Sequence, residues 1–126
     1  MKNPRITHKE KGLIKGALRR VFSRSELRRA VIDASVVQHT DPSRKRVKTW
    51  CRCNMCKELH PKSYMECDHI TPVVGLGEAS VDLDANTLVD RLWCEENNLQ
   101  AVCDACHDKK SKEENKMRRA AKKGNK

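Results

Sequence analysis

The sequence predicts a small α+β fold stapled by zinc and carrying a helical, basic N-terminal arm. Three observations predict it. Two Cys-x-x-Cys pairs, Cys53–Cys56 and Cys103–Cys106, stand far apart in the chain. Apolar residues recur every three to four positions before residue 40, and short extended stretches lead to Asp68-His69 and to Val102. The chain has 126 residues, 37% of them hydrophobic and 35% charged, with only four aromatics. Such a core is thin for an unassisted fold, so a bound metal is an expected part of it.

Residues 1–10 read as a polar start. From Lys11, the spacing of Leu13, Ile14, Ala17, Leu18, Val21 and Phe22 predicts a first helix. Ser23 and Glu26 stand at capping-box spacing, and Leu27, Ala30, Val31, Ala34 and Val37 continue a second helical stripe. Asp41-Pro42-Ser43 is a turn, and Arg44 to Lys48 a basic linker. A knuckle turn over Cys51–Cys56 is followed by a hairpin through Lys62 to Ile70, which Pro72 closes because proline cannot continue a ladder. Val73 to Ala85, with Gly75 and Gly77, is a loop. Leu83, Leu88, Val89, Leu92 and Trp93 suggest a helix of about three turns. Leu99 to Val102 is a short strand, and from Asp104 the chain turns helical and basic.

Charge divides the chain into three: a basic helical arm at 1–48, a central domain from 49, and a basic tail. Residues 1–48 carry 14 Lys/Arg against 4 Asp/Glu, residues 49–108 carry 4 against 11, and residues 109–126 carry 9 against 2. Basic flanks around an acidic centre suit a protein that grips phosphates at its edges. Arg19, Arg20, Arg28 and Arg29 on the helical arm, and Lys110 beyond the second knuckle, are the expected nucleic-acid contacts. The plainer reading of the same charges is a set of solvated helix faces. No secretory signal and no long apolar run is present, so a membrane is not expected and a cytoplasmic location is.

Seven cysteines argue against a disulfide framework and for zinc. Each Cys-x-x-Cys unit is one turn pointing two thiolates at one ion, and two such turns close a tetrahedron. Cys53, Cys56, Cys103 and Cys106 are therefore the expected structural zinc ligands. Cys51 competes with Cys53 for the first position, though it would leave a looser loop. Cys67 and Cys94 read as small buried hydrophobes.

Between the knuckles lies Glu66-Cys67-Asp68-His69-Ile70-Thr71-Pro72, and around the second lies Asn98-Leu99-Gln100-Ala101-Val102-Cys103-Asp104-Ala105-Cys106-His107, followed by Lys110, Ser111 and Glu114. Over about residues 50–118 this pattern resembles the HNH endonucleases, the ββα-metal (His-Me finger) nucleases with zinc knuckles found widely in phages. Lys11-Gly12-Leu13 and Phe22-Ser23-Arg24-Ser25 are similar to the start of small phage members. The resemblance implies an HNH nuclease domain at 49–118, leaving 119–126 as the tail, that hydrolyses phosphodiester bonds in DNA, double-stranded above all. It implies His69 as general base, Asn98 as the brace of the strand-to-helix loop, and Asp68 with His107 as ligands of catalytic Mg²⁺ or Mn²⁺. Some relatives add a ligand histidine four residues after the last; here that position is Ser111. A phage-type role would place the protein in host cytoplasm, with packaging or replication proteins as possible partners.

The chemistry asks for these residue types. An imidazole exchanges its proton near neutral pH and so activates water. A carboxylate and an imidazole together hold a hard divalent ion that offsets the charge built on phosphate oxygens. Singly, each residue has a plainer role: His69 a structural histidine, Asp68 a turn residue, His107 a first-turn histidine or a zinc ligand in place of Cys106, and Asn98 a cap that Asn97 also offers. The competing class is a non-catalytic, zinc-stabilised nucleic-acid-binding regulator or packaging adaptor, which needs the knuckles but not Asp68, His69 or His107.

Overall fold

Thr7 opens the first helix, α1 (His8–Ser23), through a capping box. Its hydroxyl accepts from the Glu10 N–H at 3.1 Å, and the Glu10 carboxylate accepts from the Thr7 N–H at 3.0 Å. These coordinates are a computed structural model that describes residues 5–75 and 83–124, with backbone alone for 122–124. The box expected at Ser23 and Glu26 is not the one that forms. Ser23 still belongs to α1 and its hydroxyl donates to the Arg20 carbonyl at 2.6 Å. The extended residue between the helices is Ser25, whose hydroxyl accepts from the Arg28 N–H at 3.1 Å and starts α2 (Glu26–Ala34).

The second helical stripe also stops short of Val37. Ser35 ends it by donating back to the Ile32 carbonyl at 2.6 Å. Val36–Val37 then form β1 and pair antiparallel with β2 (Trp50–Arg52), Val36 opposite Cys51. β3 (Leu59–Pro61) completes this sheet in the order β1-β2-β3. The hairpin therefore spans the first knuckle instead of following it. β4 (Met65–His69) pairs across a long gap in sequence with β5 (Leu99–Cys103), Asp68 opposite Gln100 and His69 opposite Leu99. It ends at His69, three residues before Pro72.

Asp84 caps α3 (Ala85–Leu92), accepting from the Thr87 N–H at 2.8 Å. Most of the expected 73–85 loop, including Gly77, lies outside the described residues. α4 (Asp104–Gly124) follows β5 without a break. The result is an α+β fold of four helices and two small antiparallel sheets among the described residues.

Two apolar cores hold it together. Ile32, Cys51, Met65, Ala101 and Val102 pack beside the knuckles, and Phe22, Val73, Leu88, Leu92 and Leu99 pack behind the end of β4. Phe22 of α1 and Ile32 of α2 thus sit in the same cores as the central region, which the charge pattern had set apart from residues 1–48. Among the described residues no helix is long and apolar enough to cross a membrane.

Candidate functional site

The two knuckles meet. The sulfurs of Cys53, Cys56, Cys103 and Cys106 all lie within 4.8 Å of one another. A tetrahedral zinc at its usual bond length needs sulfurs about 3.8 Å apart, so this donor set fits zinc with small inward shifts. Cys51 is fully buried in the apolar core instead, one residue before the turn. Backbone N–H groups aim at the ligand sulfurs: Cys103 at 3.3 Å, Met55 at 3.4 Å and Cys56 at 3.5 Å onto Cys53, and Cys106 at 3.4 Å onto Cys103.

Burial pushes the Cys53 thiol up, but those N–H groups outweigh it and bring it down to about 6. The Cys106 thiol is pushed up to about 12, first by its hydrogen bond to the Cys103 sulfur and then by burial. Four sulfurs this close resist losing all their protons unless a cation joins them, and a divalent metal resolves that conflict. Sequence reasoning missed His60, whose Nε2 lies 3.5 Å from the Cys56 sulfur. An imidazole N–H there steadies the exposed ligand thiolate from the second layer.

At the far end of β4, Asp68 and His69 line a cleft of about 630 Å³ together with His107 from the first turn of α4. His69 Nε2 lies 2.9 Å from the Leu92 carbonyl oxygen. A carbonyl only accepts, so Nε2 carries a proton, and in the neutral ring the lone pair is then on Nδ1. The ring packs on Phe22, centroids 5.0 Å apart. Asp68 is buried, with Oδ1 4.0 Å from His107 Nε2 and Oδ2 accepting from Gln100 Nε2 at 2.9 Å. Ligands of an octahedral divalent ion stand roughly 3 Å apart, so Asp68 Oδ1 and His107 Nε2 would have to draw together to share one, beside a Lys110 ammonium 3.2 Å from Oδ2.

Asn98 ends a short turn before β5 and ties down the chain that leaves β4. Its Oδ1 accepts from the Thr71 N–H at 2.9 Å, its Nδ2 donates to the Thr71 carbonyl at 3.4 Å, and its own carbonyl accepts from the Ile70 N–H at 2.8 Å. Adjacent Asn97 makes no such bond among the described contacts.

The five expected nucleic-acid contacts separate. Arg19 lines the cleft. Arg20 and Arg29 border a different groove with Arg24, and the Arg29 guanidinium donates to the Arg24 carbonyl at 3.1 Å. Arg28 pairs with Glu66 at 3.8 Å. Lys110 turns inward: its ammonium lies 3.2 Å from Asp68 Oδ2, donates to the His69 carbonyl at 3.0 Å, and pairs with Glu114. Four acceptor oxygens, both of Asp68 with one each from His69 and Glu114, lie within reach of one ammonium and explain why it leaves the surface. Burial lowers its proton affinity, but Glu114 and Asp68 outweigh that and hold it above the ordinary lysine range.

Two further residues escaped sequence reasoning. Gln100 positions Asp68 from the neighbouring strand. Arg118, three turns along α4 from His107, reaches the cleft wall and donates to the Val74 carbonyl at 2.9 Å. Its helical spacing from His107 was the available signal.

No protein-family model, curated protein or solved structure matches the chain.

Proposed function

We propose that the chain is a metal-dependent HNH endonuclease that hydrolyses phosphodiester bonds in double-stranded DNA. The observation that carries this reading is the 2.9 Å contact of His69 Nε2 with the Leu92 carbonyl, in a cleft shared with Asp68 and His107: the carbonyl accepts a hydrogen bond from Nε2, so Nδ1 of the neutral ring is free to act as a base. β4, β5 and the start of α4 are the counterpart of the ββα-metal core.

In this reading His69 Nδ1 takes the proton from the attacking water. Phe22 and the Leu92 carbonyl hold the ring, and Asn98 fixes the loop that follows it. Asp68 and His107 would hold Mg²⁺ or Mn²⁺, which when bound offsets charge on the phosphate and on the leaving oxygen. Arg19 from α1 and Arg118 from α4 line the cleft and suit the non-bridging oxygens. The four-cysteine zinc is structural.

A second reading has one observation in its favour. Lys110 already neutralises Asp68, as it would in a zinc-stabilised regulator that binds nucleic acid without cutting it. Plasmid cleavage separates the two. Wild type is expected to nick or linearise supercoiled DNA with Mg²⁺ or Mn²⁺ and to stop with chelator, and His69→Ala is expected to be nearly inert. DNA binding without metal-dependent cleavage would select the regulator.

A further inference from the structure

The stretch Arg44 to Lys48, which the sequence presents as a linker, is a built part of the fold. The Asp41 carboxylate accepts from the Ser43 N–H at 2.9 Å and opens a 3-10 turn over Pro42–Arg44. The Val47 N–H donates to the Arg44 carbonyl at 3.1 Å, and the Lys62 N–H to the Thr49 carbonyl at 3.0 Å. The Arg44 guanidinium carbon stands 5.9 Å from the ring centroids of both Trp50 and Tyr64. Trp50 is buried, whereas Arg44 and Tyr64 are exposed.

The Asp41 carboxylate offsets part of the Arg44 charge, and the surface otherwise stays strongly basic. Among the described residues, Arg44, Lys45, Arg46 and Lys48 make no ion pair, although all four are exposed. Arg46 and Lys48 line one groove with Lys62, which is paired with Asp33 at 2.6 Å. Cations fixed on an ordered loop, next to an exposed aromatic face, are the two parts of a site for unpaired nucleic acid. Phosphates supply the salt-dependent attraction, and a base stacks on the ring or on a guanidinium plane.

We propose that this surface is a second nucleic-acid contact that prefers an unpaired stretch: Arg46 and Lys48 take phosphates, and a splayed base lies on the Arg44–Tyr64 pair. A base inside a duplex offers no free face, so the stacking part selects single strands. Tyr64 directly precedes β4 and Asp68 lies four residues on, roughly 14 Å away at the rise of a strand. One nucleic acid reaches both. The favoured substrate is then DNA with a gap, flap or overhang close to the cut. The inference rests on the nucleic-acid half of the proposed function and not on cleavage.

The test is fluorescence anisotropy with the zinc-loaded full chain, without added Mg²⁺ or Mn²⁺, on a labelled single strand and on a duplex of equal length across a salt series. Tyr64→Ala is expected to weaken single-strand binding by roughly fivefold or more and to leave the duplex within about twofold. Tyr64→Phe, which keeps the stacking face, is expected to bind like wild type. Arg46→Gln with Lys48→Gln is expected to flatten the salt slope by about one to two. The proposal is overturned if Tyr64→Ala affects both probes equally or neither, or if the salt slope does not change. If wild type cleaves DNA while these variants bind like it, this surface falls and the nuclease stands. If wild type binds but never cleaves and the variants respond as expected, the surface stands and the nuclease falls.

Discussion

The ammonium of Lys110 stands 3.2 Å from Asp68 Oδ2, on the carboxylate that also faces His107. Any divalent ion held by Asp68 must share it with this cation, and like charges a few ångströms apart repel strongly at a half-buried site. Lys110→Met is therefore expected to bind Mn²⁺ about tenfold more tightly, while melting at a lower temperature because Asp68 and Glu114 lose their shared partner. Isothermal titration with Mn²⁺ and a thermal melt measure the two effects. Equal Mn²⁺ affinity in both proteins would show that the ammonium moves aside without cost.

The cysteine cluster makes a sharp distinction between neighbours. Cys53→Ala is expected to lose the single zinc per chain and most helical signal, since metal affinity here is folding free energy. Cys51→Ala removes only one buried sulfur from the core, so zinc stoichiometry should stay at one. Metal analysis of the purified variants decides, and the opposite pattern would exchange the roles of these two residues.

His69→Ala is expected to keep fold, zinc content and DNA binding, yet to lose about 10²–10⁴-fold in cleavage rate. Asp68→Ala and His107→Ala should instead shift the rate's dependence on Mn²⁺ to higher concentration. Rates against metal concentration for the three proteins are the measurement. Recovery of His69→Ala by metal alone would remove His69 from the role of base.

The serines between α1 and α2 differ in what they support. Ser25→Ala removes the helix cap and is expected to cost about 1 kcal/mol, while Ser23→Ala, whose hydroxyl merely returns to the Arg20 carbonyl, should cost a few tenths. Urea denaturation of the zinc-loaded proteins gives both values. Equal costs would contradict the capping assignment.

Lys57 closes the first knuckle with φ of +65°, the left-handed region that glycine enters freely. Lys57→Gly is thus expected to be neutral or slightly stabilising. Lys57→Val, β-branched, should lose more than about 1 kcal/mol. Denaturation midpoints compare them, and a harmless valine would mean that the turn relaxes.

Much of this architecture is legible in the chain because it is local. A helical stripe such as Leu13 to Phe22 shows its period within a few residues, and Cys53 and Cys56 form one turn whatever surrounds them. Strand pairing is not local. Val37 fits the stripe of α2 as well as it fits a strand, and only its partner Trp50, thirteen residues on, decides the matter. The partner of β4 lies some thirty residues away, so a hairpin with its nearer neighbour is the natural error. Lys110 shows the same limit for side chains: a lysine in a basic helix reads as surface until Asp68, His69 and Glu114 converge on it.

The first turn of α4 carries Cys106 of the cysteine cluster, and the helix continues at once into His107, Glu114 and Arg118 on the cleft. The two proposed metal centres are therefore wired in series, the structural ion upstream of the catalytic one. If both proposals hold, anything that draws zinc from the cysteines, an oxidant or a chelator, is expected to silence the cleft without touching a residue in it. Rate measurements alone would count Cys106 as a member of the catalytic set. Zinc content reported beside every rate separates a broken anchor from a missing base.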